Sequence, residues 1–508
     1  MLSNRHDTVC QRRSLALPVA LPLDNRRNHH GLYTMNYHTL KLSFCLCLGL
    51  LLNSSSWVSA ELRLGAPFSD HMVVQQNRPI TVWGWDDVDT MVTVTMGEHT
   101  ATAKADADGK WSARLPGRAA SHDPASISIA GSTETTLNDV LVGEVWLCSG
   151  QSNMEWTVSS SNNPEDEIAA ANHPLIRHIK VKHVPSATPQ SDVSTDGWQV
   201  CSSDTVAAFT AVGYFFGRHL QSNLDVPIGL IGSNWGGTRI EPWTPPAGFQ
   251  RVAALGDIAN DLGSYPEVNA DGTVNHQSAL ALYNGMIHPL LPFAIRGAIW
   301  YQGESNNGEG MLYYEKMRAL ITGWREVWND PTMPFYFVQL APYRYRQPDQ
   351  LPGIWEAQSA VLEVAGTGMA VTTDIGNVAD IHPRNKQEVG RRLGLWALTK
   401  TYGHDVGSYM GPIYQSMRIE GDRIRLFFDH ADEGLVSRDG ESLSWFTVAG
   451  FDREFVEAEA LIDGNTVVVS SDQLSEPLAV RFGWHEEAEP NLANRVGLPA
   501  APFRTHGW

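Results

Sequence analysis

Four short stretches of this chain carry side chains that can do chemistry. Gly150-Gln151-Ser152-Asn153-Met154 offers a serine hydroxyl, a weak nucleophile until a base takes its proton. The base on offer is His382, in Asp380-Ile381-His382-Pro383, where a carboxylate two residues earlier can hold the imidazole tautomer and stabilise the imidazolium. Trp300-Tyr301-Gln302-Gly303-Glu304-Ser305-Asn306 adds an amide and a second acid: Gln302 can donate to a developing oxyanion, and Glu304 is an alternative partner for His382. In Gly232-Ser233-Asn234-Trp235-Gly236-Gly237-Thr238-Arg239-Ile240-Glu241, paired glycines let backbone approach a substrate closely. An N–H of Gly236 or Gly237, together with that of Ser152, completes an oxyanion hole. The combined chemistry is acyl transfer through a covalent serine intermediate.

Each stretch also has a plainer reading. Ser152 can be a helix cap, Glu304 can cap the loop that follows it, and loops use glycine freely. Arg239 can pair the carboxylate of an acidic sugar or brace Glu241 within its own loop. Met154 stands where the nucleophile elbow of an α/β-hydrolase has its second glycine, which disfavours that fold.

To meet, these loops need a common sheet edge. Apolar strands are expected near 144–148, 227–231, 295–300, 335–340 and 369–373, each placing one of the stretches, or a link between them, at its carboxyl end. Helical stripes fall between them at Val212, Phe215, Phe216 and Leu220, at Met317, Leu320, Ile321 and Trp324, and at Val389, Leu393, Trp396 and Ala397. Strand-helix alternation of this kind predicts a parallel sheet over 141–404, with residues 245–290 a loop-rich or helical insertion over the site. Short alternating runs such as Ile80–Trp85 and Arg423–Phe428 predict β structure at 61–140 and 405–508. The two ends are expected to share one sandwich.

Composition narrows the class. A chain of 508 residues with 43% hydrophobic and 18% charged residues has the balance of a globular protein of two to four domains. Its net charge of −19 makes nucleic acid a poor partner. The apolar run Leu42–Leu52 is shorter than the roughly 20 residues that cross a bilayer. With Met35, Lys41 and the small residues Val58-Ser59-Ala60 it reads as an export signal cleaved before Glu61, leaving no stable membrane insertion. Residues 1–34 then form an upstream extension. Of five cysteines, Cys148 and Cys201 lie beyond that cleavage point, either as a disulfide or as two buried thiols.

Taken together, Gly150–Met154, Trp235-Gly236-Gly237-Thr238, Tyr301-Gln302-Gly303-Glu304-Ser305 and Asp380–Pro383 resemble, in order and spacing, the sialate O-acetylesterase family of SGNH-type hydrolases. Leu282–Pro289 and Gly497–Thr505 carry the resemblance across nearly all of 61–508. It implies a flavodoxin-like three-layer α/β/α core with an accompanying β domain, no metal and no organic cofactor, and an O-acetylated sugar as substrate. It also implies Ser152 as nucleophile, His382 as base, Asp380 as its orienting acid with Glu304 as the alternative, and Ser152, Gly237 and Gln302 around the oxyanion. Gln151, Asn153, Gly236, Arg239 and Trp235 are the further candidates on the substrate side, with Trp235 and Trp243 the tryptophans expected nearest the site. Acetylated sialic acid and acetylated hemicellulose both fit the resemblance. A non-catalytic glycan-binding protein would lack the nucleophile or the base, and both are present.

Overall fold

The computed structural model describes residues 61–508, so the expected export signal and the segment before it lie outside the described residues. A single 17-residue strand, Glu134–Gly150, organises the rest. Its first half pairs antiparallel with Ser121–Ala130, and side chains there alternate between exposed and buried. From Leu141 onward every residue is buried, because the strand gains neighbours on both sides and becomes the centre of a parallel sheet. The expected boundary near 140 is therefore a change of pairing partner along one strand.

The parallel sheet runs, edge to edge, Asn172–Val181, Ile228–Asn234, Glu134–Gly150, Gly297–Tyr301, Phe335–Val338 and Thr367–Ala370. Thr195–Ser202 adds an antiparallel edge strand beside Asn172–Val181. All five expected strands are present. Asn172–Val181 escaped expectation because Arg177 and His178 interrupt its apolar run, yet both are buried, Arg177 by pairing with Asp139 at 2.7 Å.

Helices Ala211–Leu224 and Lys386–Trp396 pack together on one face, close enough that a side chain at Gly390 would strike Phe215. Leu312–Val327 covers the other face, where Trp324 meets Trp300 edge-on at 5.8 Å, and Gln350–Ala360 lies against it. These layers are the expected three-layer core. The 245–290 stretch is a run of short helices and turns with a small core of its own around Phe249, Val252 and Leu280.

The expectation of one sandwich shared by both ends is corrected by the strand pairing. Among the described residues the N-terminal strands pair only with each other and with the central strand, and their side chains merge into the core of the esterase sheet. The C-terminal strands form two four-stranded sheets and one two-stranded sheet around a separate core that includes Ile424, Leu426, Val448, Val467 and Phe482. Among the described residues Cys148 and Cys201 have no disulfide partner; both are buried, and burial raises both thiols, Cys201 to about 12. Among the described residues no helix is long and apolar enough to cross a membrane.

Candidate active site

The serine stands where the central strand ends. Gly150 turns the chain with φ +132°, and a side chain there would meet the Tyr301 carbonyl oxygen at 2.2 Å, so only glycine fits. The Gln151 N–H donates to the same carbonyl at 2.9 Å, tying the turn to the neighbouring strand, and Ser152 opens the short helix Ser152–Glu155.

His382 reaches it from the loop after Thr367–Ala370: its Nε2 lies 2.9 Å from Ser152 Oγ. The imidazole is stacked on Trp156, with ring centres 4.6 Å apart and planes within 15°. Burial lowers the proton affinity of His382, the nearby Lys386 charge lowers it further, and Asp380 opposes both. Asp380 Oδ1 accepts the backbone N–H of His382 at 3.0 Å and lies 3.9 Å from its Nδ1, too far for a hydrogen bond. Glu304 is turned elsewhere: one carboxyl oxygen accepts from Asn153 Nδ2 at 2.5 Å, and the other is buried without a partner among the described residues. Burial raises the Glu304 carboxyl.

The glycine pair divides its work. The Gly236 N–H donates to Glu155 Oε2 at 2.8 Å and is thus occupied. Gly237, at φ +74°, is exposed, and among the described residues its N–H has no partner. It remains the free donor of the pair. Its carbonyl accepts from Gln277 Nε2 at 3.0 Å, a contact between the 245–290 stretch and this loop. Burial would raise the Glu155 carboxyl, but hydrogen bonds from His183 and Lys180, the Lys180 charge and the Gly236 N–H bring it down to about 2.

Three expected substrate-side groups, Gln302, Asn153 and Arg239, are committed to the scaffold, while Gln151 is held by its side-chain oxygen alone. Gln302 is fully buried: its amide hydrogens go to the Thr238 carbonyl at 3.1 Å and to Asn306 Oδ1 at 2.8 Å, and its oxygen accepts from Tyr313 at 2.8 Å. It has no donor left for an oxyanion, and it braces the loop that carries Gly237. Gln151 accepts, weakly, from the N–H groups of Gly303 and Ser305, and Asn153 is enclosed between Glu304, Ile381 and Lys386. Arg239 pairs with Glu241 at 3.1 Å and with Glu309, while Lys316 bridges the same two carboxylates at 2.7 and 2.6 Å. Its guanidinium is therefore balanced within the protein, the bracing reading of this residue.

Both tryptophans lie at the glycine loop: Trp235 precedes the glycine pair, and Trp243 donates to Thr238 Oγ1 at 3.1 Å. Trp243 is fully buried in the core. The Trp235 ring is stacked against His183, with ring centres 4.4 Å apart, and against His276 at 4.7 Å.

Residues 142–395 match the family described as carbohydrate esterase, sialic acid-specific acetylesterase. Sialate O-acetylesterase of Homo sapiens is 32% identical over 423 residues, covering 74% of this chain and 78% of its own, and that of Mus musculus is 30% identical over 437 residues, covering 73% and 80%. The crystal structure of a carbohydrate acetylesterase from Xanthomonas citri matches with a TM-score of 0.81 at 38% identity, over 88% of this chain and 100% of its own. The chain belongs to the sialic acid-specific acetylesterase family and is a carbohydrate acetylesterase, a carboxylic ester hydrolase.

Proposed function

We propose that Ser152 is the nucleophile and His382 the general base in the release of acetate from O-acetylated sugars. The observation that carries this reading is the 2.9 Å contact between His382 Nε2 and Ser152 Oγ. Ser152 Oγ attacks the acetyl carbonyl while His382 takes its proton, and the N–H groups of Ser152 and Gly237 stabilise the oxyanion. Collapse expels the sugar alkoxide, which takes the proton from His382. Water, deprotonated by His382, then attacks the acetyl-enzyme carbonyl, and collapse breaks the bond to Ser152 Oγ, which takes the proton back from His382 as acetic acid leaves. Asp380 is the acid assigned to His382, since its Oδ1 lies 3.9 Å from His382 Nδ1 while Glu304 is engaged by Asn153. Through its hydrogen bond to the His382 N–H it sets the backbone, and its charge favours the imidazolium.

Sialate esters are the first substrate class, in keeping with the curated relatives. Acetylated hemicellulose is the second reading, favoured by one observation: Arg239 is engaged by Glu241 and Glu309, which leaves a sialate carboxylate without that cation. Acetate release from O-acetylated sialic acid, acetylated xylan and acetylated xyloglucan tests both. We expect kcat/KM on one class to exceed the others by about 100-fold or more, and equal, slow turnover of all three would reject a sugar-specific site. Export is also proposed, on Leu42–Leu52 and Val58-Ser59-Ala60. Expression from Met35 with N-terminal sequencing should return Glu61 as first residue, and an intact leader in the cytoplasm would refute it.

A further inference from the structure

A buried cation beneath the serine plays no part in that mechanism. Lys386 is fully buried at the start of helix Lys386–Trp396, with its Nζ 2.5 Å from Asn153 Oδ1 and 4.9 Å from the centre of the Tyr301 ring. Asn153 passes the contact on, donating to the Ile381 carbonyl at 3.0 Å and to Glu304. Asn153 follows the nucleophile and Ile381 precedes the base. One junction thus fastens the serine's helix to the histidine's loop.

Among the described residues the ammonium has one hydrogen-bond acceptor, a neutral amide oxygen, so it is costly to bury, and an apolar side chain would suit the fold better. Burial indeed lowers Lys386 to about 7, against the pull of Glu304 and Asp380. The charged and titratable groups around the pair are Glu304 and Asp380, with Tyr301 and Tyr345 flanking Glu304. A group so unfavourable for stability, set beside two reacting side chains, points to function.

We propose that Lys386 is a positioning residue for hydrolysis at Ser152, clamping Asn153 between Ile381 and Glu304 so that the His382 ring is held against the serine. The proposal rests on the serine-histidine reading above. The same cation opposes a second positive charge on His382 and so favours the neutral base. The base works unprotonated, so activity is lost as pH falls through the His382 pKa, which in the native enzyme lies below the ordinary imidazole value. Removing the cation raises that pKa and moves the acid limb to higher pH.

The test is kcat, KM and the pH profile of kcat/KM for Lys386→Met, Lys386→Arg and Asn153→Ala on the best sugar ester. Lys386→Met is expected to lose about tenfold to a hundredfold in kcat with KM within about threefold, and its acid limb should move up. Lys386→Arg should restore the position of the limb. Asn153→Ala keeps the charge but breaks the clamp, so kcat should fall with the limb in place, and it decides the matter should Lys386→Met fail to fold. Native kcat in either folded variant, or an unmoved limb in Lys386→Met, overturns the proposal. Ser152→Ala in parallel separates the failures: activity there would sink the serine-histidine reading itself.

Discussion

Ser152→Ala lowers kcat for p-nitrophenyl acetate by at least about three orders of magnitude and leaves the melting temperature within a few degrees. Alanine removes the attacking oxygen without disturbing the turn, since Gly150, Gln151 and the Tyr301 carbonyl set its geometry through backbone. The small residual rate would come from the remaining polarising groups, Gly237 and His382, acting on bound ester and water. An activated aryl ester isolates the acyl-transfer step from sugar recognition, so KM is expected to change little. Turnover within tenfold of the native enzyme would remove Ser152 from the mechanism and leave the 2.9 Å contact with His382 without a catalytic meaning.

The second large effect is on stability. Glu144 is fully buried on the central strand, where it accepts from Arg296 at 2.6 and 2.9 Å, from Tyr402 at 2.9 Å and from Gln76 at 2.6 Å. Arg296 precedes the neighbouring strand Gly297–Tyr301, and Tyr402 follows helix Lys386–Trp396, so one carboxylate joins three parts of the core. Glu144→Ala leaves a largely buried guanidinium and a phenol without their acceptor, which costs about 3–5 kcal/mol. Urea denaturation should show the loss as a lower midpoint at unchanged m-value, and a change under about 1 kcal/mol would mean that water or a neighbour replaces the carboxylate. Glu144→Gln, which keeps the shape and several hydrogen bonds, should lie between the two.

Much of this site was legible because nucleophile, base and glycine loop each sit at the end of an expected strand, and strand ends are where a parallel sheet gathers its chemistry. What escaped was which way side chains point. Gln302 and Arg239 have the right chemistry for an oxyanion and a carboxylate, but burial obliges each to satisfy partners within the protein, and partners distant in sequence, such as Tyr313 and Glu309, do not advertise themselves. Lys386 did leave a trace. It lies three and seven residues before Val389 and Leu393, on the apolar stripe of its helix, where a charged residue is out of place. Trp156, four residues after the serine, had no such signature, and neither had the trio Glu155, Lys180 and His183, whose meeting depends on the unrecognised strand Asn172–Val181.

The continuity of Glu134–Gly150 bears on how such an enzyme can be rebuilt. The same backbone that pairs with Ser121–Ala130 ends at the nucleophile, so exchanging the amino-terminal third between relatives would splice two halves of one plank. Recombination there must preserve pleat as well as sequence, since a one-residue offset would turn Trp146 and Cys148 to the opposite helical layer. The carboxy-terminal strands, with a hydrophobic interior of their own, are the easier part to trade.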